Sequence, residues 1–189
     1  MIATVPHHHR PLYRVVRRDW SDPLDAAFSR NVADNRWNTP AFPALYCCCS
    51  EPVARAVATE RLQRLNLSLE DLVPDAYPQL VELDWGGTLV DAASSAGLVA
   101  NGFPPTFPQD TPVDQCRQAA AEWHAQGHQG ILCRSASLCR MGWEARWEGD
   151  HRAWGETVIF PRRGTRTPRL IRRRDDLAWL QPVLAGSSP

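Results

Sequence analysis

The feature that most constrains the fold is the shortness and irregular spacing of the apolar runs. Leu12–Val16, Ala44–Cys49, Leu80–Trp85, Gly130–Cys133 and Glu156–Phe160 are short, apolar or β-branched, and bounded by glycine, proline or charge. Such runs read as buried strands. The helical signals between them are uneven. Ser50-Glu51-Pro52 places a cap, an acid and a proline at a helix start. Val53, Ala56, Val57, Leu62 and Leu65 then keep an apolar face. Pro112–Gln126 reads as a second helix, stopped by Gly127. Asp22–Arg30 reads as a short helix capped by Ser21 or Asp22. Gly86-Gly87 reads as a turn, and Gly102–Pro112 as a proline-rich irregular loop. Strands and helices mix without a βαβα rhythm, so the expected class is α+β and not a doubly wound sheet.

A length of 189 residues fits one domain, expected over 12–184 between a flexible segment 1–11 and a frayed tail 185–189. A hydrophobic fraction of 43% with eight tryptophans excludes a disordered chain. Trp143, Trp147 and Trp154 read as packing residues. Lys plus Arg equals Asp plus Glu at 21 each, so no long-range field draws the chain to nucleic acid or a membrane. No apolar run approaches a membrane span. The expected partners therefore include no direct nucleic acid and no membrane, and the expected location is the cytoplasm.

Cys47, Cys48 and Cys49 are adjacent, so on a strand they alternate between faces. With Cys116, Cys133 and Cys139 they make a poor disulfide framework and form no CxxC pair. They read as small buried apolar residues in a reducing compartment. The His7-His8-His9 run reads as an exposed segment. His124 and His128 are spaced i, i+4 without an accompanying carboxylate, so no metal is expected. Arg162–Arg174 reads as a solvated basic face or a docking surface for an acidic partner or DNA.

The informative stretch is Asn35-Arg36-Trp37-Asn38, then Pro40–Pro43, Leu45-Tyr46, and the helix carrying Glu60. Gly130-Ile131-Leu132 leading to Ser135, and Val158-Ile159-Phe160, follow in order. Together with the opening Leu12-Tyr13-Arg14-Val15, these resemble RES-domain proteins, named for an arginine, a glutamate and a serine. Arg36, Glu60 and Ser135 match those three residues, with Glu51 and Ser137 as alternatives for the last two. Asn35, Ala41 and Arg134 stand where the family commonly has glycine, glycine and proline.

The resemblance implies an ADP-ribosyltransferase-like mixed β-sheet core with flanking helices and a cleft for NAD. It implies a toxin that consumes NAD by hydrolysis or phosphorolysis, paired with an Xre-type helix-turn-helix antitoxin. Transfer of ADP-ribose to a protein and an inactive interaction protein are the alternatives. A homodimer stays open. Cleavage of the nicotinamide–ribose bond passes through an oxocarbenium-like ribose, which a carboxylate, here Glu60, can stabilise. Arg36 offers a permanent bidentate charge to the diphosphate. Tyr46 offers a ring for nicotinamide and a hydroxyl for ribose. Ser135 offers a hydrogen bond to ribose or amide. Arg14 reads either as a strand-edge charge or as a phosphate contact.

Overall fold

A computed structural model describes residues 1–8, 10–32, 35–142, 150–162 and 165–181. Among the described residues, eight strands make one sheet: β1 (Thr4–His7), β2 (Leu12–Arg17), β3 (Leu45–Cys48), β4 (Pro78–Asp84), β5 (Gly87–Ala92), β6 (Gly130–Arg134), β7 (Gly155–Ile159) and β8 (Arg169–Arg174). Their order is β1-β5-β6-β7-β3-β2-β4-β8. The β5–β6 pair is parallel and the others are antiparallel. The helices among the described residues are α1 (Glu51–Arg64), α2 (Ser95–Ala100), α3 (Val113–Ala125) and α4 (Ala136–Arg140). The class is α+β with a mixed sheet flanked by helices, as the sequence leads one to expect.

The alternation of side chains along β3 separates the cores. Leu45, Cys47 and Cys49 pack with Leu12, Val16, Val81, Leu83 and Trp85 on one face. Cys48 joins Val53, Ala54, Ala56, Leu80 and Leu138 on the other, beneath α1 and α4. Further along that second face, Ile131, Cys133 and Val158 meet Cys116, Ala120 and Trp123 of α3 and an aromatic group of Trp37, Phe42, Phe103 and Phe107. No cysteine is in a disulfide, and all but Cys139 are buried.

Two blocks of helix thus cover one face, and the sheet is weakest between β2 and β3, beneath α1. β2 and β3 share a single pair, Tyr13 with Cys48. Each strand is well paired on its outer side, β2 to β4 over Leu12–Arg17 and β3 to β7 over Leu45–Cys48. Beyond that one bridge the strands part, and a cavity opens there.

Several elements differ from the sequence expectation. Thr4–His7, expected to be flexible, pairs with Gly87–Val90 as an edge strand, because β5 otherwise leaves a row of unpaired backbone groups. Ala27–Asn31 is only a 3-10 turn, not the end of a helix from Asp22. The Asp22 and Asp25 carboxylates accept hydrogen bonds from the Leu24 and Ala27 amides at 2.8 and 2.7 Å, and such local side-chain bonds compete with helix. Ser50 stands at the helix N-cap with extended backbone, yet its hydroxyl makes no cap bond and has no partner. Gly127 ends α3 at φ +93, as expected. Gly87 is not in the turn but begins β5, and a Cβ there would fall 2.7 Å from the Trp85 ring. The basic stretch contains strand β8, paired with β4 on one side only. Trp143 and Trp147 lie outside the described residues; Trp154 packs against the α1 core.

Candidate active site

The cavity over the parted strands has a volume of about 460 Å³. Arg14 and Val15 line it from β2, and Tyr46, Cys47 and Cys48 from β3. Arg36 and Trp37 contribute from the preceding loop, Val57 and Glu60 from α1, Ser137 and Arg140 from α4, and Glu156 from β7. The sheet therefore supplies the floor, and α1, α4 and the loop carrying Arg36 supply the walls.

Tyr46 fixes the Arg36-Trp37-Asn38 turn. Its hydroxyl accepts a hydrogen bond from the Trp37 amide and donates one to Asn38 Oδ1, both at 2.9 Å. Burial pushes the phenol well above its usual range, so it stays neutral. The structure thus assigns the hydroxyl to the turn and leaves the ring on the cavity wall. Asn38 is buried and donates to the Ser29 carbonyl at 3.1 Å. Arg36 then sits over the Phe107 ring at 5.9 Å and donates to the Thr111 carbonyl at 3.1 Å. Its sequence neighbour Asp34 lies outside the described residues.

Arg14 is not a strand-edge charge. β2 lies inside the sheet between β3 and β4, and Arg14 is only 8% exposed. One guanidinium nitrogen donates to the Asp25 carbonyl at 3.3 Å, while Nε is buried without a partner. Burial lowers its pKa, opposed by nearby Asp25 and Asp22, but a guanidinium remains charged. A buried cation lacking an ion pair costs several kcal/mol, on the order of 3, unless an anion joins it. That makes Arg14 a strong candidate for holding an anionic ligand.

Glu60 and the alternative Glu51 separate clearly. Glu60 lines the cavity, is 8% exposed, and pairs with Arg140 at 2.6 Å. The Ser137 hydroxyl donates to its other oxygen at 3.4 Å. Glu51 instead pairs with Arg55 at 3.4 Å and with Arg174 at 2.7 Å.

The two serines also separate. Ser135 is fully buried and caps α4, its oxygen accepting from the Leu138 amide at 3.3 Å. Ser137 is the serine on the cavity wall. Glu156 is also on the cavity wall; burial raises its pKa, and nearby Ser135 opposes the shift. Glu156 is a cavity carboxylate that the sequence reading missed. It sits within an apolar-looking strand, and the only available signal was an acid at a position whose strand neighbours, Cys48 and Cys133, are buried.

Arg134, which stands in place of a common proline, works as a strut. It donates to the Ala93 carbonyl at 2.9 Å and to the Pro105 and Phe107 carbonyls at 2.5 and 3.2 Å. It thereby holds the proline-rich loop whose Phe107 underlies Arg36. His124 stacks on Phe42 at 4.4 Å, and burial lowers its pKa, a packing role. Among the described residues, six arginines line the cavity against two glutamates, Glu60 and Glu156. The site suits an anionic ligand whose reacting end meets a carboxylate.

The family model described as RES domain matches residues 11–176. The chain belongs to the RES-domain family. The crystal structure of the M. tuberculosis MbcT-MbcA toxin-antitoxin complex contains a chain of similar fold, with a TM-score of 0.66. That likeness is 17% identical in sequence and covers 87% of this chain and 82% of the other. No curated protein matches the sequence. The RES-domain match covers every cavity-lining residue named above, from Arg14 to Glu156. No helix among the described residues is long and apolar enough to cross a membrane.

Proposed function

We propose that this RES-domain protein is the toxin of a toxin–antitoxin pair and consumes NAD by breaking the nicotinamide–ribose bond. The observation that carries the reading is Arg14, a buried guanidinium with an unsatisfied Nε, in one cavity with Arg36 and the carboxylate Glu60. Two arginines match the two negative charges of a dinucleotide diphosphate. Glu60, oriented by Arg140 and Ser137, faces the positive charge that develops on the ribose. The Tyr46 ring and the Trp37 turn provide an apolar wall for nicotinamide. NAD is here a substrate, and the residues named need no metal for these roles.

The toxin assignment is supported by the RES-domain family and by a fold neighbour from a toxin–antitoxin complex. The partner inferred is a protein antitoxin of Xre type, and the site of action is the cytoplasm, where NAD is plentiful. The test is nicotinamide release from NAD by purified protein, with and without inorganic phosphate. Release supports glycosidic cleavage. No release by a folded, partner-free sample overturns that reading in favour of ADP-ribosylation of a specific protein or of an inactive interaction protein. Growth arrest on expression, relieved by a co-expressed antitoxin, tests the toxin half.

A further inference from the structure

Two carboxylates share the cavity, and their surroundings differ. Glu60 is neutralised by Arg140 at 2.6 Å and held by Ser137. Glu156 lines the cavity from β7 and has no ion pair among the described residues. Beside it on the sheet lie Cys48 of β3 and Cys133 of β6. Burial raises both thiols far above their usual range, so they are neutral and cannot compete for a proton.

We propose that Glu156 is the general base of the reaction and that the acceptor it serves is water rather than an anion such as phosphate. This rests on the reading of the cavity as one that cleaves NAD. The glycosidic bond from ribose C1′ to the nicotinamide nitrogen breaks, and its electron pair neutralises the ring nitrogen. The water oxygen bonds to C1′, and its proton passes to the Glu156 carboxylate and then to solvent. NAD⁺ and water give ADP-ribose, nicotinamide and one proton.

The division of roles follows from the electrostatics. A carboxylate locked to an arginine is a fixed negative charge, suited to the oxocarbenium ion. A carboxylate with raised basicity is suited to take a proton. Burial raises the Glu156 pKa; Ser135, Arg140 and Arg36 oppose the shift, and Glu60 adds to it. A phosphate anion is already deprotonated and needs no base to attack, whereas water does.

The test follows nicotinamide release and product identity from about pH 5 to about pH 9, a range spanning a raised carboxyl pKa, with and without phosphate. Wild type is expected to yield ADP-ribose without phosphate, at a rate that rises with pH through a midpoint above the usual carboxylate range. Glu156→Gln is expected to keep NAD affinity, lose kcat by about 100-fold, and lose that pH limb. Glu156→Asp, which keeps the acid, is expected to retain the limb at reduced rate and covers the case in which Glu156→Gln does not fold. A phosphate requirement, or a folded Glu156→Gln with unchanged rate and pH profile, overturns the proposal and leaves NAD cleavage standing. A wild-type protein that releases no nicotinamide under any condition overturns the underlying reading, and the proposal with it.

Discussion

Glu60 and Arg140, eighty residues apart in sequence, meet at 2.6 Å across the mouth of the cavity. The carboxylate is 10% exposed and the guanidinium 49%, so the pair joins a buried charge to a half-solvated one. α1 and α4, which carry them, pack on a shared core that includes Ala56, Ala58 and Leu138.

Arg140→Ala leaves Glu60 without its cation. Water can reach the vacated position, so the expected loss of stability is modest, about 1–2 kcal/mol. Urea unfolding measures it, and a double variant with Glu60→Gln should recover most of the loss. Equal stability of Arg140→Ala and wild type would show that the pair contributes nothing.

Arg14→Met tests the anion site. Replacing an unsatisfied buried cation with an apolar side chain of similar length should leave the ligand-free protein as stable or more stable. Affinity for ADP-ribose should fall by about 10- to 100-fold, the loss of one to two charge-assisted hydrogen bonds. Thermal unfolding without ligand and calorimetric titration separate the two effects. Destabilisation with undiminished binding would make Arg14 a structural residue.

Tyr46→Phe removes the hydroxyl that ties the Trp37 amide to Asn38. The expected cost is about 1–3 kcal/mol, because both partners lie in part-buried or buried positions. Release of the turn that carries Arg36 should raise KM for NAD more than it lowers kcat. An unchanged urea midpoint would show that the turn is held by other contacts.

Glu156 also predicts a pH dependence of stability. Its folded-state pKa lies above its unfolded value because of burial, so the folded state holds the proton more tightly. The favourable contribution is full below the unfolded pKa and is lost as pH rises through the folded one. Glu156→Gln lacks this loss, so its stability relative to wild type should increase from about pH 4 toward neutrality. Urea unfolding at several pH values provides the comparison. A difference independent of pH would count against the shift.

Some of the site was legible in the sequence because its residues sit in short local patterns. Arg36-Trp37-Asn38, the Leu45-Tyr46 strand and the acid on α1 lie in one continuous stretch, and their order carried the RES-domain resemblance. The choice between Glu60 and Glu51 was not legible, since both lie on α1 and only packing against α4 decides which meets the cavity. Ser135 and Ser137 are two residues apart, and only the α4 cap turns one inward and the other to the wall. Arg14 looked like an edge charge because strand order is not written in local periodicity.

By itself the sequence determined the α+β class, the family and most of the strands, because apolar alternation, glycine and proline act locally on the backbone. Only the tertiary structure decided which side chains share the cavity. The single Tyr13–Cys48 bridge between β2 and β3, the burial of Arg14 without a carboxylate partner among the described residues, and the sharing of one cavity by Glu60 and Glu156 are all long-range outcomes. They depend on strand order and on the packing of two helical blocks over one sheet face, and no window of neighbouring residues contains that information.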